Sequence, residues 1–185
     1  MGSVTRLVVG LGNPGPRFAG TRHNLGRMVV EELARSRGER FTVHRRTNTE
    51  LAELPPLVPG SGGKTILALL RCPMNGSGTP TQALARFFSV EPRNLVAVHD
   101  ELDLELGEAR LDVGGGDHGH KGLRSISAAL SKSGGEKKYA RLRVGIGRPP
   151  GRQAPADFVL KPFNSKERAE LPLAIDEAIR LLEDF

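Results

Sequence analysis

Four short polar clusters carry side chains able to do chemistry near neutral pH: "GNPG" with Asn13, "TRHNLG" with His23, "MNGSG" with Asn75, and "HDELDL" with Asp100 and Asp103. An imidazole with its ordinary pKa of about 6.5 suits general-base work at that pH. A carboxylate at its second ring nitrogen would fix the tautomer and stabilise the imidazolium that forms. Asparagine amides offer donors and an acceptor without charge, suited to positioning an ester or peptide group and polarising its carbonyl. Together these residue types point to hydrolysis by an activated water, with no particular substrate specified. Each also has a plainer role open to it. Asn13 beside Pro14 is a natural turn former, the two aspartates could cap the element after a strand, and a lone histidine is often a surface or capping residue.

Other chemistries fit less well. Ser77 in "GSG" does not match the G-x-S-x-G nucleophile elbow. "DHGH", Asp117 to His120, holds two histidines one residue apart in a glycine-rich stretch, with no third ligand evident. The single cysteine, Cys72, excludes an intramolecular disulfide and a multi-cysteine zinc site, and is read as packing. Gly10, Gly12 and Gly15 spell G-x-G-x-x-G after an apolar run, the pattern of a dinucleotide turn. Pro14 and Pro16, however, remove amide donors where a pyrophosphate would need them. The acidic residue required about 20 positions on is missing as well. "HRR", His44 to Arg46, stands there instead, and its arginines could take a 2′-phosphate, which keeps an NADP-dependent enzyme open. The glycines fit better as a tight turn that brings Asn13 and His23 to the carboxyl edge of a sheet.

The elements that must position these groups alternate between short apolar runs and helical patterns, as in an α/β domain. "RLVVG" (Arg6 to Gly10), "TILALL" (Thr65 to Leu70), "NLVAVHD" (Asn94 to Asp100) and "RLRVGIG" (Arg141 to Gly147) read as core strands. "FTVHRR" and the segment near Leu51 read as weaker, edge-like strands. "NLGRMVVEELARS" opens on Asn24, a candidate N-cap, and brings Met28, Val29, Glu32 and Leu33 round at helical spacing. "TPTQALARFFSV" and "GLRSISAALS" are further helices. In the tail from Ser165, Leu171, Ile175, Ala178 and Leu182 share a face, with Pro172 expected in the first turn or at a kink. "LPPLVPGSGGK" (Leu54 to Lys64) and "SKSGGEKK" (Ser131 to Lys138) read as loops.

The 185 residues fit one domain, 1–185, with 38% hydrophobic and 26% charged residues. No apolar run approaches the roughly 20 residues of a membrane span, and the N-terminus lacks a signal-peptide pattern. The expected address is therefore the cytoplasm, with no membrane partner. A net charge of +6 favours polyanions such as RNA. With 4% aromatic residues and no tryptophan, such binding would rely on backbone and shape rather than on base stacks.

Taken together, "VVGLGNPG", "TRHNLG", "MNGSG", "VAVHDELDLELG", "GGGDHGHKGLRSI", "RLRVGIGRPPGR" and "DFVLKPF" resemble, in order, the bacterial-type peptidyl-tRNA hydrolase family. The resemblance implies a single α/β domain with a mixed, twisted sheet and helices on both faces, acting as a monomer without metal or cofactor. It implies cleavage of the ester joining a peptide to the terminal ribose of tRNA. By that likeness His23 activates the water, and Asp100 stabilises the form of His23 that accepts the proton. Asn13 helps tell a peptidyl from a bare aminoacyl group. Phe18, Pro73, Met74, Asn75, Asp103, His120 and Lys121 fall around the substrate. Arg110 and Arg143 take positions facing tRNA phosphates, and Lys137, Lys138, Arg148 and Arg152 could extend that patch, whose affinity would fall with salt.

The chain also departs from the family pattern. "GHKGL" places Lys121 where asparagine is usual, and an ammonium can donate but not accept. A cation beside His23 would lower the basicity of the imidazole. Pro73 stands where an aromatic is common, Phe18 where tyrosine is usual, and Gly76 where a larger residue is common. The lysine-rich stretch before Tyr139 is long, and relatives usually continue a little past Phe185. These departures leave a second possibility, a paralogue that binds RNA with little or no hydrolysis.

Overall fold

The computed structural model describes residues 3–132 and 138–185. The four apolar runs become the centre of one sheet. β1 (Thr5–Gly10), β4 (Lys64–Leu70), β5 (Leu95–Glu101) and β7 (Ala140–Gly145) are its parallel strands. β2 (Thr42–His44) and β3 (Thr49–Leu54) extend one side antiparallel, and β6 (Ala109–Val113) closes the other against β7. The order is β2-β3-β4-β1-β5-β7-β6, so the sheet is mixed.

Side chains alternate across a strand, so each apolar run serves two cores. Val8, Leu67, Leu69, Val96 and Val98 pack under α1 (Leu25–Ser36) and α5 (Ser165–Leu182). Leu7, Val9, Ile66, Ala68 and Leu95 face α2 (Gly78–Phe87) and α3 (Lys121–Lys132). Burial on both faces explains why these strands read as continuous apolar runs.

Two elements were not anticipated. β6 is only five residues, "ARLDV", in which Ala109, Leu111 and Val113 alternate with Arg110 and Asp112, a run too short to stand out. α4 (Pro155–Val159) has five residues, too few for a helical period to show. Pro172 lies in the interior of α5 rather than its first turn. That helix starts at Ser165, where the expected tail begins, and Asn164 and Glu167 fix the start with a reciprocal capping box. Leu171, Ile175, Ala178 and Leu182 face the core as the spacing predicted. Leu54 and Lys64 end in strands β3 and β4, and the chain between them is loop. Of the second predicted loop, Ser131 and Lys132 complete α3, whereas Lys137 lies outside the described residues.

The glycine-rich opening works through close packing. A Cβ on Gly26 would run into the Val98 carbonyl oxygen, so α1 crosses β5 where only glycine fits. Gly15, at φ +97°, supplies the left-handed turn before His23. α1 begins at Leu25, well past the glycine triad, so the triad does not open a helix as a dinucleotide turn requires. The geometry disfavours the NADP alternative.

Candidate active site

The polar clusters converge where the parallel strands end. Asn13 follows β1, Met74, Asn75 and Gly76 form a 3-10 turn after β4, Asp100 lies near the end of β5, and α3 starts at Lys121. The carboxyl edge of an α/β sheet is where such folds place their chemistry.

His23 occupies a 3-10 turn (Arg22–Asn24) just before α1. Its Nδ1 lies 3.0 and 2.9 Å from the two carboxylate oxygens of Asp100. Asp100 is buried, and burial alone would raise its pKa. His23 and His120 outweigh that and hold it far below the ordinary carboxylate range. An ionised carboxylate only accepts, so His23 donates from Nδ1 and keeps Nε2 as the basic nitrogen. Burial pushes the His23 pKa down, but the charge and hydrogen bond of Asp100 push it further up, and the net direction is upward. Lys121 does lower it, as the sequence led us to expect, yet that influence is the smallest of the four and does not set the outcome.

His120 plays a part the sequence did not disclose. Its Nε2 lies 2.9 Å from Asp100 Oδ1, while its Nδ1 accepts from the backbone N–H groups of Gly122 and Leu123 at 3.1 and 3.3 Å. The first amides of α3 therefore fix its tautomer, and Asp100 takes a donor from each of two imidazoles. The His23 and His120 rings lie 4.9 Å apart.

Asn13 is locked into place by its neighbours. The Met74 N–H donates to its Oδ1 at 2.8 Å, which leaves its amide NH₂ pointing away from that bond as a donor. Asn24 accepts from the Asn13 N–H and donates to the Asn13 carbonyl, each at 2.9 Å. Asn24 stands at the N-cap position of α1 as expected, but it spends its side chain on the loop and makes no cap hydrogen bond. Met74 is buried, and its sulfur would meet a Cβ on Gly122 at 2.6 Å, so the turn after β4 abuts the start of α3.

The loop carrying His23 is held from the far end of the chain. Buried Arg22 grips Glu167 through Nε at 3.2 Å and Nη2 at 2.6 Å, donates to the Phe158 carbonyl at 3.1 Å, and lies 4.0 Å over the Phe158 ring. Thr21 bridges to Pro162, Arg22 N–H donates to the Lys161 carbonyl, and Phe163 N–H to that of Gly20. The run "DFVLKPF" is the strap that sets this loop.

The remaining predicted residues divide between rim and scaffold. Phe18 is half-buried, with the Arg17 guanidinium 5.3 Å from its ring centre. Pro73, Asn75 and Lys121 are exposed. Asp103 is exposed and paired with Arg148 at 2.6 Å. Arg110 is exposed and paired with Asp112 at 3.0 Å. Arg143 is buried, bonded to Asp112 at 2.9 Å, Glu101 at 3.3 Å and the Gly116 carbonyl at 3.1 Å. It thereby braces the glycine-rich loop. Lys138 and Arg152 are exposed.

The "DHGH" residues do not converge on one point. Asp117 pairs with Arg141, His118 with Glu101, and His120 with Asp100. His23, Asp100 and His120 are close enough together to be considered as metal ligands. Their facing atoms are joined to one another by hydrogen bonds, and the other nitrogen of His120 is used by backbone amides.

A family profile described as peptidyl-tRNA hydrolase matches residues 7–185. The chain is 53% identical over 178 residues to the peptidyl-tRNA hydrolase of Corynebacterium efficiens, covering 96% of this chain and 94% of that one. It is 51% identical over 183 residues to peptidyl-tRNA hydrolase 1 of Corynebacterium glutamicum, covering 99% and 97%. The crystal structure of peptidyl-tRNA hydrolase from Acinetobacter baumannii superposes with a TM-score of 0.85 at 33% identity, over 99% of this chain and 89% of that one. With this sequence match along nearly its whole length and the same fold, the chain belongs to the peptidyl-tRNA hydrolase family.

Proposed function

We propose that the protein hydrolyses the ester between a peptide and the terminal ribose of tRNA, with His23 as the general base. The supporting observation is the buried His23–Asp100 pair, whose Nε2 is left as the basic nitrogen at the carboxyl edge of the sheet. His23 Nε2 takes a proton from water as the oxygen attacks the ester carbonyl. The imidazolium, stabilised by Asp100, then returns the proton to the departing ribose oxygen, so that ester and water become a carboxylic acid and a free tRNA hydroxyl. The Asn13 amide, oriented by Met74 N–H, is the donor for a peptide or ester carbonyl. Asn75 and Lys121 flank the cleft as further donors, and Arg110 faces phosphate on the β6 side. In this reading residues 1–185 act as one domain and a monomer in the cytoplasm, where peptidyl-tRNA arises, and the steps need no metal or cofactor.

Single-turnover cleavage of an N-blocked aminoacyl-tRNA tests the proposal. His23→Ala is expected to abolish cleavage while tRNA binding stays close to wild type, because only the base is lost. A variant that keeps most of its rate would remove His23 from this role.

A further inference from the structure

We propose that the β2–β3 turn, Arg71 and the C-terminal end of α2 form a second contact surface for the body of the tRNA, on the flank of the sheet opposite Arg110 and Arg143. The proposal rests on the hydrolase reading above and adds where the nucleic acid goes once it leaves the cleft.

The observation behind it is how the unpaired positive charge is distributed. On the β6–β7 flank three arginines are already paired with carboxylates. Arg110 pairs with Asp112, Arg143 with Asp112 and Glu101, and Arg148 with Asp103. On the β2 flank Arg45, Arg46, Arg71 and Arg86 are all exposed, and among the described residues none has a carboxylate within ion-pair distance. Glu50 of the neighbouring β3 is taken by Arg27, and Glu53 by Lys64.

These residues form one surface. Arg71 donates to Asn48 Oδ1 in the β2–β3 turn at 3.2 Å. Arg46 lies 5.5 Å over the Phe87 ring, next to Arg86 at the end of α2, and His44 meets the same ring edge-on at 4.6 Å. Phe87 is 44% exposed, an apolar floor bordered by guanidinium groups. The surface also continues into the active site, because Arg71 lies between the end of β4 and the turn bearing Met74 and Asn75. Like charges gathered without counter-charges repel one another, and a polyanion relieves that repulsion. Guanidinium forks suit phosphate oxygens, and an exposed ring suits a ribose or an unstacked base. A tRNA whose 3′ end lies at His23 brings its phosphates alongside Arg71, which favours RNA over an acidic protein.

The test compares wild type with Arg45→Glu/Arg46→Glu, both shown to melt alike. Filter binding of deacylated tRNA is measured across a salt series. Cleavage is measured on a full-length N-blocked aminoacyl-tRNA and on the same ester carried by a short 3′-terminal oligonucleotide. The double variant is expected to bind tRNA at least about tenfold more weakly at low salt, with the log–log salt slope reduced by about 1.5, the loss of two phosphate contacts. KM for the full-length substrate should rise, with kcat and cleavage of the short substrate unchanged. Full-length binding and KM within twofold of wild type would overturn the proposal. An equal loss on the short substrate would also overturn it, as would poly-glutamate competing as well as tRNA of matched charge, which would mark a protein-binding surface. If wild type cleaves neither substrate, the hydrolase reading fails, and the binding comparison still decides where the RNA lies.

Discussion

Replacing Asp100 with asparagine removes a charge while nearly preserving shape, and the surrounding hydrogen bonds dictate how the new amide must sit. His120 must donate from Nε2, because its Nδ1 is held by the Gly122 and Leu123 amides. The new carboxamide therefore turns its oxygen towards His120 and its NH₂ towards His23 Nδ1. An NH₂ facing Nδ1 opposes a proton there and favours the tautomer protonated on Nε2, the nitrogen that must accept from water. The imidazolium also loses its counter-charge. For charges about 4 Å apart at an effective dielectric of about 20, the lost attraction is about 4 kcal/mol, or roughly a thousandfold in rate. With Asp100 gone, burial and Lys121 both act downward on His23, so the acid limb of the pH–rate profile should move to lower pH. Single-turnover cleavage from acid to neutral pH reads both effects. A rate within tenfold of wild type, or an acid limb that moves up, would refute the assigned tautomer and the role of the pair.

Three further outcomes are expected. Gly26→Ala should destabilise the fold by about 3 kcal/mol in denaturant titration, since its methyl would collide with the Val98 carbonyl and lift α1 from β5. Glu167→Gln should cost about 3 kcal/mol by leaving the Arg22 guanidinium buried without its counter-charge, and should lower kcat through the His23 turn, as melting and turnover would record. Burial raises the Glu167 pKa, but Arg22 and the Asn164 N–H lower it more, so its stabilisation is present above the unfolded value of about 4.3 and fades as pH falls through the depressed one. The variant should accordingly flatten the acid side of the melting-temperature profile. Lys121→Asn removes a charge that lowers the His23 pKa, so the acid limb of kcat/KM should move to higher pH, with cleavage retained above it.

The fold was legible wherever burial wrote itself into the chain. Strands enclosed on both faces showed as apolar runs, and the helices showed by their periodicity. β6 and α4 were missed because five residues are too few for a period to stand out, even though Ala109, Leu111 and Val113 of β6 do alternate with charge. His23, Asp100 and Asn13 stood out by type, since few other side chains suit an activated water. Their supports did not. Arg22 and Glu167 are 145 positions apart, and the N-cap position of Asn24 gave no sign that its amide closes the Asn13 loop. The family resemblance marked Arg143 as a phosphate ligand, but the geometry buries it between two carboxylates. A sequence reports which residues are basic; whether they are already neutralised depends on partners far along the chain.

The strap across the His23 loop also bears on how the protein is made. His23 is synthesised long before the residues whose contacts set its turn, Phe158, Lys161, Pro162 and Glu167. Until those residues have left the exit tunnel, the turn lacks these contacts. The geometry that orients the imidazole is therefore among the last parts of the fold that synthesis can complete.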